Sequence, residues 1–176
     1  NEPHHPASDT AVITQEMSSL INTTIDTTRR ISHDLLPPTL EDFGLVETIK
    51  ELQSTLNRSN QIIVGFELVE KEKKIADKLV ELNLFRVLQE LINNSIRHGK
   101  STEVEIKLWL SISQIKLVYS DNGIGFDPLV FANSKGMGMK NIESRLQMIQ
   151  ASFEYESSLG QGMKMIIERN ANLSKS

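Results

Sequence analysis

The period of the apolar residues changes once along this chain, from helical spacing before residue 57 to strict alternation after residue 60, and that switch limits the possible folds more than anything else. Beyond it, Ile62, Val64, Phe66 and Leu68 alternate with their neighbours and predict a strand with one buried face. A helix over about residues 77–98 follows, then alternation at Val104, Ile106, Leu108 and Leu110, then a strand around 115–119. The polar stretch 111–114 between the last two predicts a hairpin. The glycine-rich run SDNGIGFD comes next, then an irregular segment to Gly138. A helix turning Ile142, Leu146 and Ile149 inward and two closing strands, 153–156 and 163–167, complete the pattern. The order β-α-β-β-loop-α-β-β predicts an α/β fold, a two-layer α/β sandwich whose mixed sheet is covered by helices on one face. The charged run EKEKK at 70–74 reads as a solvated turn.

Upstream of the switch, Ile13, Met17, Leu20, Ile21, Ile25, Ile31 and Leu35 recur at helical intervals, which predicts a long helix from Asp9 or Thr10 to the stop at Pro37-Pro38. A second proline-free run, 44–56, places Leu45, Ile49, Leu52 and Leu56 on one stripe. Residues 1–9, containing NEPHHPAS, read as a disordered or appended end, and the neighbouring His4 and His5 have no further ligands with which to hold a metal. A start at Asn rather than Met suggests a piece of a longer protein, in which any membrane segment would lie outside this stretch. With 19 Lys and Arg against 23 Asp and Glu, the net charge of -4 gives no electrostatic reason for a nucleic-acid partner. The absence of cysteine excludes disulfides, thiolate metal sites and a cysteine nucleophile.

Three stretches carry residue types suited to chemistry. In an α-helix, at about 100° per residue, Glu90 and Asn94 of LQELINNSIRHG share a face with Arg97 beside them and His98 at its edge. Phe85, Leu88, Leu91, Ile92 and Ser95 occupy the opposite side. That polar face suits plain solvation, and it equally suits a hard cation: Asn supplies a neutral oxygen to Mg²⁺, and Glu can orient or deprotonate a water or a nucleophile. In Asp121-Asn122-Gly123-Ile124-Gly125 the glycines permit close approach of backbone to a ligand, and the Asp121 carboxylate can accept from an amine such as an adenine N–H. An ordinary turn uses the same residues. Lys135-Gly136-Met137-Gly138-Met139-Lys140 leads into a helix whose first N–H groups and positive dipole end suit phosphate, although two glycines there also serve simply to turn the chain. In this order, in one small α/β domain, the three supply metal, base and phosphate groups in one constellation.

These stretches resemble the boxes of the Bergerat-fold ATP-binding domain shared by histidine kinases, gyrase-type topoisomerases, Hsp90 chaperones and MutL-type repair proteins. QELINNSIRH at 89–98 resembles the N box, DNGIGFD at 121–127 the first glycine box and GMGMKNIESR at 136–145 the second. The resemblance spans about residues 60–169. Within that superfamily the chain is most similar to sensor histidine kinases of the nitrate-sensor class, whose N box carries a Lys or Arg and His pair like Arg97-His98.

The resemblance implies that Asp121 accepts from the adenine amino group and that Gly123 and Gly125 shape the adenine pocket. It implies that Asn94 ligates Mg²⁺, that Glu90 assists an attacking histidine, and that backbone at Gly136, Gly138 and Met139 faces the triphosphate of ATP. Arg97 or His98 would add charge stabilisation, and 128–135 would form a short lid. The implied activity is that of a protein histidine kinase passing the γ-phosphoryl group of ATP to a histidine, for relay to the receiver domain of a response regulator. The setting implied is a cytoplasmic region, either free or the cytoplasmic part of a membrane-bound sensor, in a protein homodimeric at full length. RISHDLLPPTLEDFGLVETIKEL at 30–52 resembles the second helix of the dimerisation bundle, its Pro turn and the linker helix. The implied layout is a partial bundle helix and linker over 10–56, an ATP-binding catalytic domain over 57–170 and a tail over 171–176.

His33, in a His-Asp pair, resembles a phosphoacceptor, but in the family a long helix continues after the acceptor, and here Pro37-Pro38 stops it within a turn. The acceptor is therefore expected upstream of Asn1. After Gly160-Gln161-Gly162 the family places a Thr near the nucleotide; Met163 stands here and cannot donate that hydrogen bond, which implies an altered pocket or lowered affinity. A nucleotide-dependent binding module and an anti-sigma-like serine kinase are the alternative functions on the same fold.

Overall fold

The computed structural model describes residues 37–71, 75, 77–127 and 136–170. The expected helix over 10–36 with His33, the 1–9 end, the 128–135 lid and the 171–176 tail lie outside the described residues.

Pro38 opens α1 (Pro38–Phe43), where its fixed φ and missing N–H suit the first helical position. Apolar spacing predicts no helix there, because a single turn with Leu40 as its one buried residue has no period to detect. Gly44, at φ +81°, then redirects the chain into α2 (Leu45–Ser59), which buries Leu45, Val46 and Ile49. The other elements are β1 (Ile63–Lys71), α3 (Lys78–Asn94), β2 (Glu103–Leu110), β3 (Gln114–Asp121), α4 (Met137–Met148), β4 (Ser152–Ser157) and β5 (Met163–Asn170). They reproduce the β-α-β-β-loop-α-β-β order.

The five strands form one mixed sheet in the order β1-β2-β3-β5-β4, with β1 and β2 parallel across the α3 crossover and the other neighbours antiparallel. Alternation decides the layers. Val104, Ile106, Leu108 and Leu110 of β2 are buried, whereas Glu103, Glu105 and Lys107, which alternate with them, are exposed. The same buried face carries Leu117 and Tyr119 of β3 and Met165 and Ile167 of β5, and it forms the core with Leu84, Leu88 and Leu91 of α3 and Ile142 and Leu146 of α4. Each such Leu or Ile contributes roughly 1.5–3 kcal/mol relative to exposure. The open edge of β1 is closed by α2: Val64 N–H donates to Asn57 Oδ1 at 2.7 Å, and Asn57 Nδ2 and Gln53 Nε2 donate to Val64 O at 3.0 and 2.9 Å.

Asp77 starts α3 by accepting from Leu79 N–H at 2.9 Å. The helix ends by widening into a π-helical turn, Ser95–Gly99, after which Lys100 is left-handed at φ +51° and Ser101 N–H returns to Ser95 O at 3.0 Å. The structure thus divides the helix expected over 77–98 into a regular part and a π turn. Among the described residues no helix is long and apolar enough to cross a membrane.

Candidate active site

The polar side of α3, the loop after β3 and the start of α4 enclose a cleft of about 570 Å³. Glu90, Asn94, Arg97, His98, Asp121, Gly125, Gly136, Gly138 and Met139 all line it. Of the candidate residues only Gly123 is set back, with its N–H donating to Asp121 Oδ1 at 2.8 Å. Three stretches separated in sequence therefore share one space. The 3.6-residue helical repeat puts Glu90 and Asn94 on the cleft side, half-buried, while Arg97 and His98 project exposed from the π turn.

Asp121 ends β3 with its carboxylate held by several donors. Ser95 Oγ donates to Oδ2 at 2.7 Å and Ser101 Oγ to Oδ1 at 3.0 Å, alongside the Gly123 amide. Behind Ser95 lies Tyr119, fully buried, its hydroxyl 2.7 Å from Ser95 Oγ. Burial pushes the Tyr119 hydroxyl far above its ordinary pKa; the Asp121 charge pushes the same way and the Ser95 hydrogen bond opposes both. Tyr119 is accordingly neutral.

The glycine loop is stitched to the β4–β5 turn. Gly160 N–H donates to Ile124 O at 2.7 Å, and Phe126 N–H donates to Ser157 Oγ at 2.9 Å. Gly162 sits at φ +71°, where a Cβ would collide with the backbone carbonyl of Asp121. Asn122 is turned away from the cleft: its Oδ1 accepts from Thr102 and Glu103 N–H at 2.9 and 3.0 Å and so anchors the start of β2.

At the far end of the cleft α4 begins after Gly136 with no side-chain cap and no acidic residue in its first turn. Its leading N–H groups are therefore not satisfied by a capping side chain. A Cβ on Gly138 would lie 2.5 Å from Glu90 Oε1 and 3.3 Å from both side-chain polar atoms of Asn94. A side chain added there would have to push Glu90 aside.

Sequence reasoning overlooked Ser95, Ser101 and Tyr119. The signal was a Ser on the apolar side of α3, since a buried hydroxyl needs a partner. Ile124, Phe126 and Met137 add an apolar lining that no spacing argument identified. Met163 lines the cleft and is the ladder partner of Asp121.

Comparison with known proteins matches residues 79–171 to the histidine kinase-, DNA gyrase B- and HSP90-like ATPases. The chain is 31% identical over 157 residues to sensor histidine kinase ComP of Bacillus subtilis (strain 168), a similarity covering 87% of this chain and 20% of ComP. It is 27% identical over 153 residues to the signal transduction histidine-protein kinase/phosphatase DegS of Brevibacillus brevis, covering 87% of this chain and 39% of DegS. The fold is like that of the blue-light activated histidine kinase of Erythrobacter litoralis EL346, with a TM-score of 0.60 at 16% identity, covering 74% of this chain and 43% of that one. The chain thus spans less than half the length of each of these proteins.

Proposed function

The chain belongs to the family of histidine kinase-, DNA gyrase B- and HSP90-like ATPases and is of the type of the ATP-binding catalytic region of sensor histidine kinases; from that premise we propose that it transfers the γ-phosphoryl group of ATP to a protein histidine, within the nitrate-sensor class. One observation carries the reading: an amine-accepting carboxylate, a Glu-Asn pair and an uncapped helix start line the same cleft.

Asp121 reads the adenine amino group, with Gly123 and Gly125 shaping the loop around the base. The first turn of α4, at Gly136, Gly138 and Met139, receives phosphate oxygens through backbone N–H groups and the helix dipole. Glu90, beside Gly138, orients the incoming histidine and takes its proton. Arg97 or His98 at the rim offsets charge developing on the transferred group. The donor set fits Mg²⁺, for which Asn94 supplies a neutral oxygen and nucleotide phosphates the rest; that ion would neutralise phosphate charge.

In this reading residues 10–56 are a partial dimerisation bundle helix and linker, 57–170 the catalytic domain and 171–176 a tail. The acceptor histidine lies on a bundle helix upstream of Asn1, and the phosphoryl group passes on to a response regulator in the cytoplasm. The parent protein acts as a homodimer. Mixing the chain with a separately made acceptor helix and labelled ATP should give acid-labile phosphohistidine, suppressed by Glu90→Gln. ATP binding without labelling would favour a nucleotide-dependent binding module, and labelled serine on a partner an anti-sigma-like kinase.

A further inference from the structure

We propose that Ser95, Ser101 and Tyr119 are positioning residues that hold Asp121 as a pure acceptor, and that they thereby set the preference of the cleft for a purine bearing a 6-amino group. The inference rests on the reading of the cleft as a nucleotide site and concerns residues to which that reading gives no role.

The argument is one of counting protons. An ionised carboxylate only accepts, so the 2.7 Å contact between Ser95 Oγ and Asp121 Oδ2 uses the single hydroxyl proton of Ser95. The 2.7 Å contact between Ser95 and Tyr119 must then run from the tyrosine O–H. Tyr119, buried and neutral, makes no other side-chain hydrogen bond among the described residues, so the chain Tyr119 to Ser95 to Asp121 has one polarity. Ser101 and the Gly123 amide occupy Oδ1. With about four acceptor positions on a carboxylate and three engaged, roughly one is left, on Oδ2, and the group presents no proton of its own to a ligand.

Across the ladder stands Met163, whose side chain has no donor to offer, so the hydroxyl donors come from the π turn and the residues just after it. The π turn makes that possible. It closes through Ser101 N–H to Ser95 O, bringing two serines six positions apart onto the same carboxylate. Both are buried, at 3% and 6% exposure, so their hydroxyls have little recourse to water. A carboxylate fixed in this way welcomes an N–H and opposes a carbonyl oxygen.

The test is calorimetric titration without Mg²⁺ of the whole chain and its Ser95→Ala, Ser101→Ala and Tyr119→Phe variants. The probes are ATP, purine riboside triphosphate, which lacks the 6-amino group, and inosine triphosphate, which carries a 6-oxo group. The unaltered chain should prefer ATP to both. Ser95→Ala should weaken ATP by about tenfold while leaving purine riboside triphosphate within about twofold, and Tyr119→Phe should do the same to a smaller degree. Ser101→Ala, on the other oxygen, is the check if Ser95→Ala fails to fold. Equal losses for ATP and purine riboside triphosphate would reduce the network to a structural role and overturn the proposal. Unchanged ATP preference in all folded variants would overturn it and leave the nucleotide reading standing. An unaltered chain that binds none of the three would remove both.

Discussion

Asp121 concentrates the consequences of this structure at the residue scale, since its carboxylate gathers two serine hydroxyls and an amide before any ligand arrives. Asp121→Asn replaces an accepting oxygen with a donor facing other donors. ATP affinity should fall by roughly 10- to 100-fold, the worth of a charged hydrogen bond, as read by calorimetry. Asn94→Ala should behave differently, keeping metal-free ATP binding and losing the gain that Mg²⁺ confers. The glycines at the start of α4 separate just as clearly. At Gly136 an added Cβ meets nothing within 4 Å, whereas at Gly138 it meets Glu90 Oε1 at 2.5 Å. Gly138→Ala should therefore slow phosphoryl transfer by on the order of tenfold to a hundredfold by displacing Glu90, with Gly136→Ala near the unaltered rate. Angular spacing along one helix was enough to place Glu90 and Asn94 together. It was not enough for Ser95, whose partners belong to β3.

Among the elements, the first turn of α3 does more than begin a helix. Glu81, 4% exposed, accepts from Leu45 N–H at 2.9 Å and so caps α2 from outside. Lys78 donates to Leu40 O and Glu41 O at 3.1 and 3.0 Å, engaging carbonyls of α1, and lies 3.1 Å from Glu81 Oε2. One turn of one helix therefore holds the end of one helix and the start of another around Gly44. Glu81→Ala leaves the buried Leu45 amide without its acceptor and should cost about 1–3 kcal/mol in urea unfolding. Lys78→Ala, whose side chain is 54% exposed, should cost distinctly less. Apolar period alone revealed α3 and the stripe of α2, because both run for several turns. It missed α1 and the π turn, since one is too short to show a period and the other is a change in hydrogen bonding with no change in pattern.

For the molecule as a whole, residues 38–176 cluster as one compact unit, in which α1 and α2 pack on α3 and β1. Removing residues 1–59 takes away the fully buried Leu40, Leu45 and Ile49 and bares the β1 edge at Val64. At roughly 1.5–3 kcal/mol for each such side chain, the loss rivals a typical domain stability of about 5–15 kcal/mol. The shorter piece should melt far lower or aggregate, as scanning calorimetry and light scattering would report. The amino-acid order by itself determined the kind and succession of the elements that run for several residues of regular period, and the polar face of α3, because those follow from side-chain period and local backbone preference within a few residues. Only the tertiary structure decided that Ser95 and Ser101 meet Asp121, 26 and 20 positions away, and that Glu81 caps a helix 36 positions earlier. Such partners are chosen by the docking of layers, in which a buried polar group takes whichever acceptor or donor the packing brings within reach.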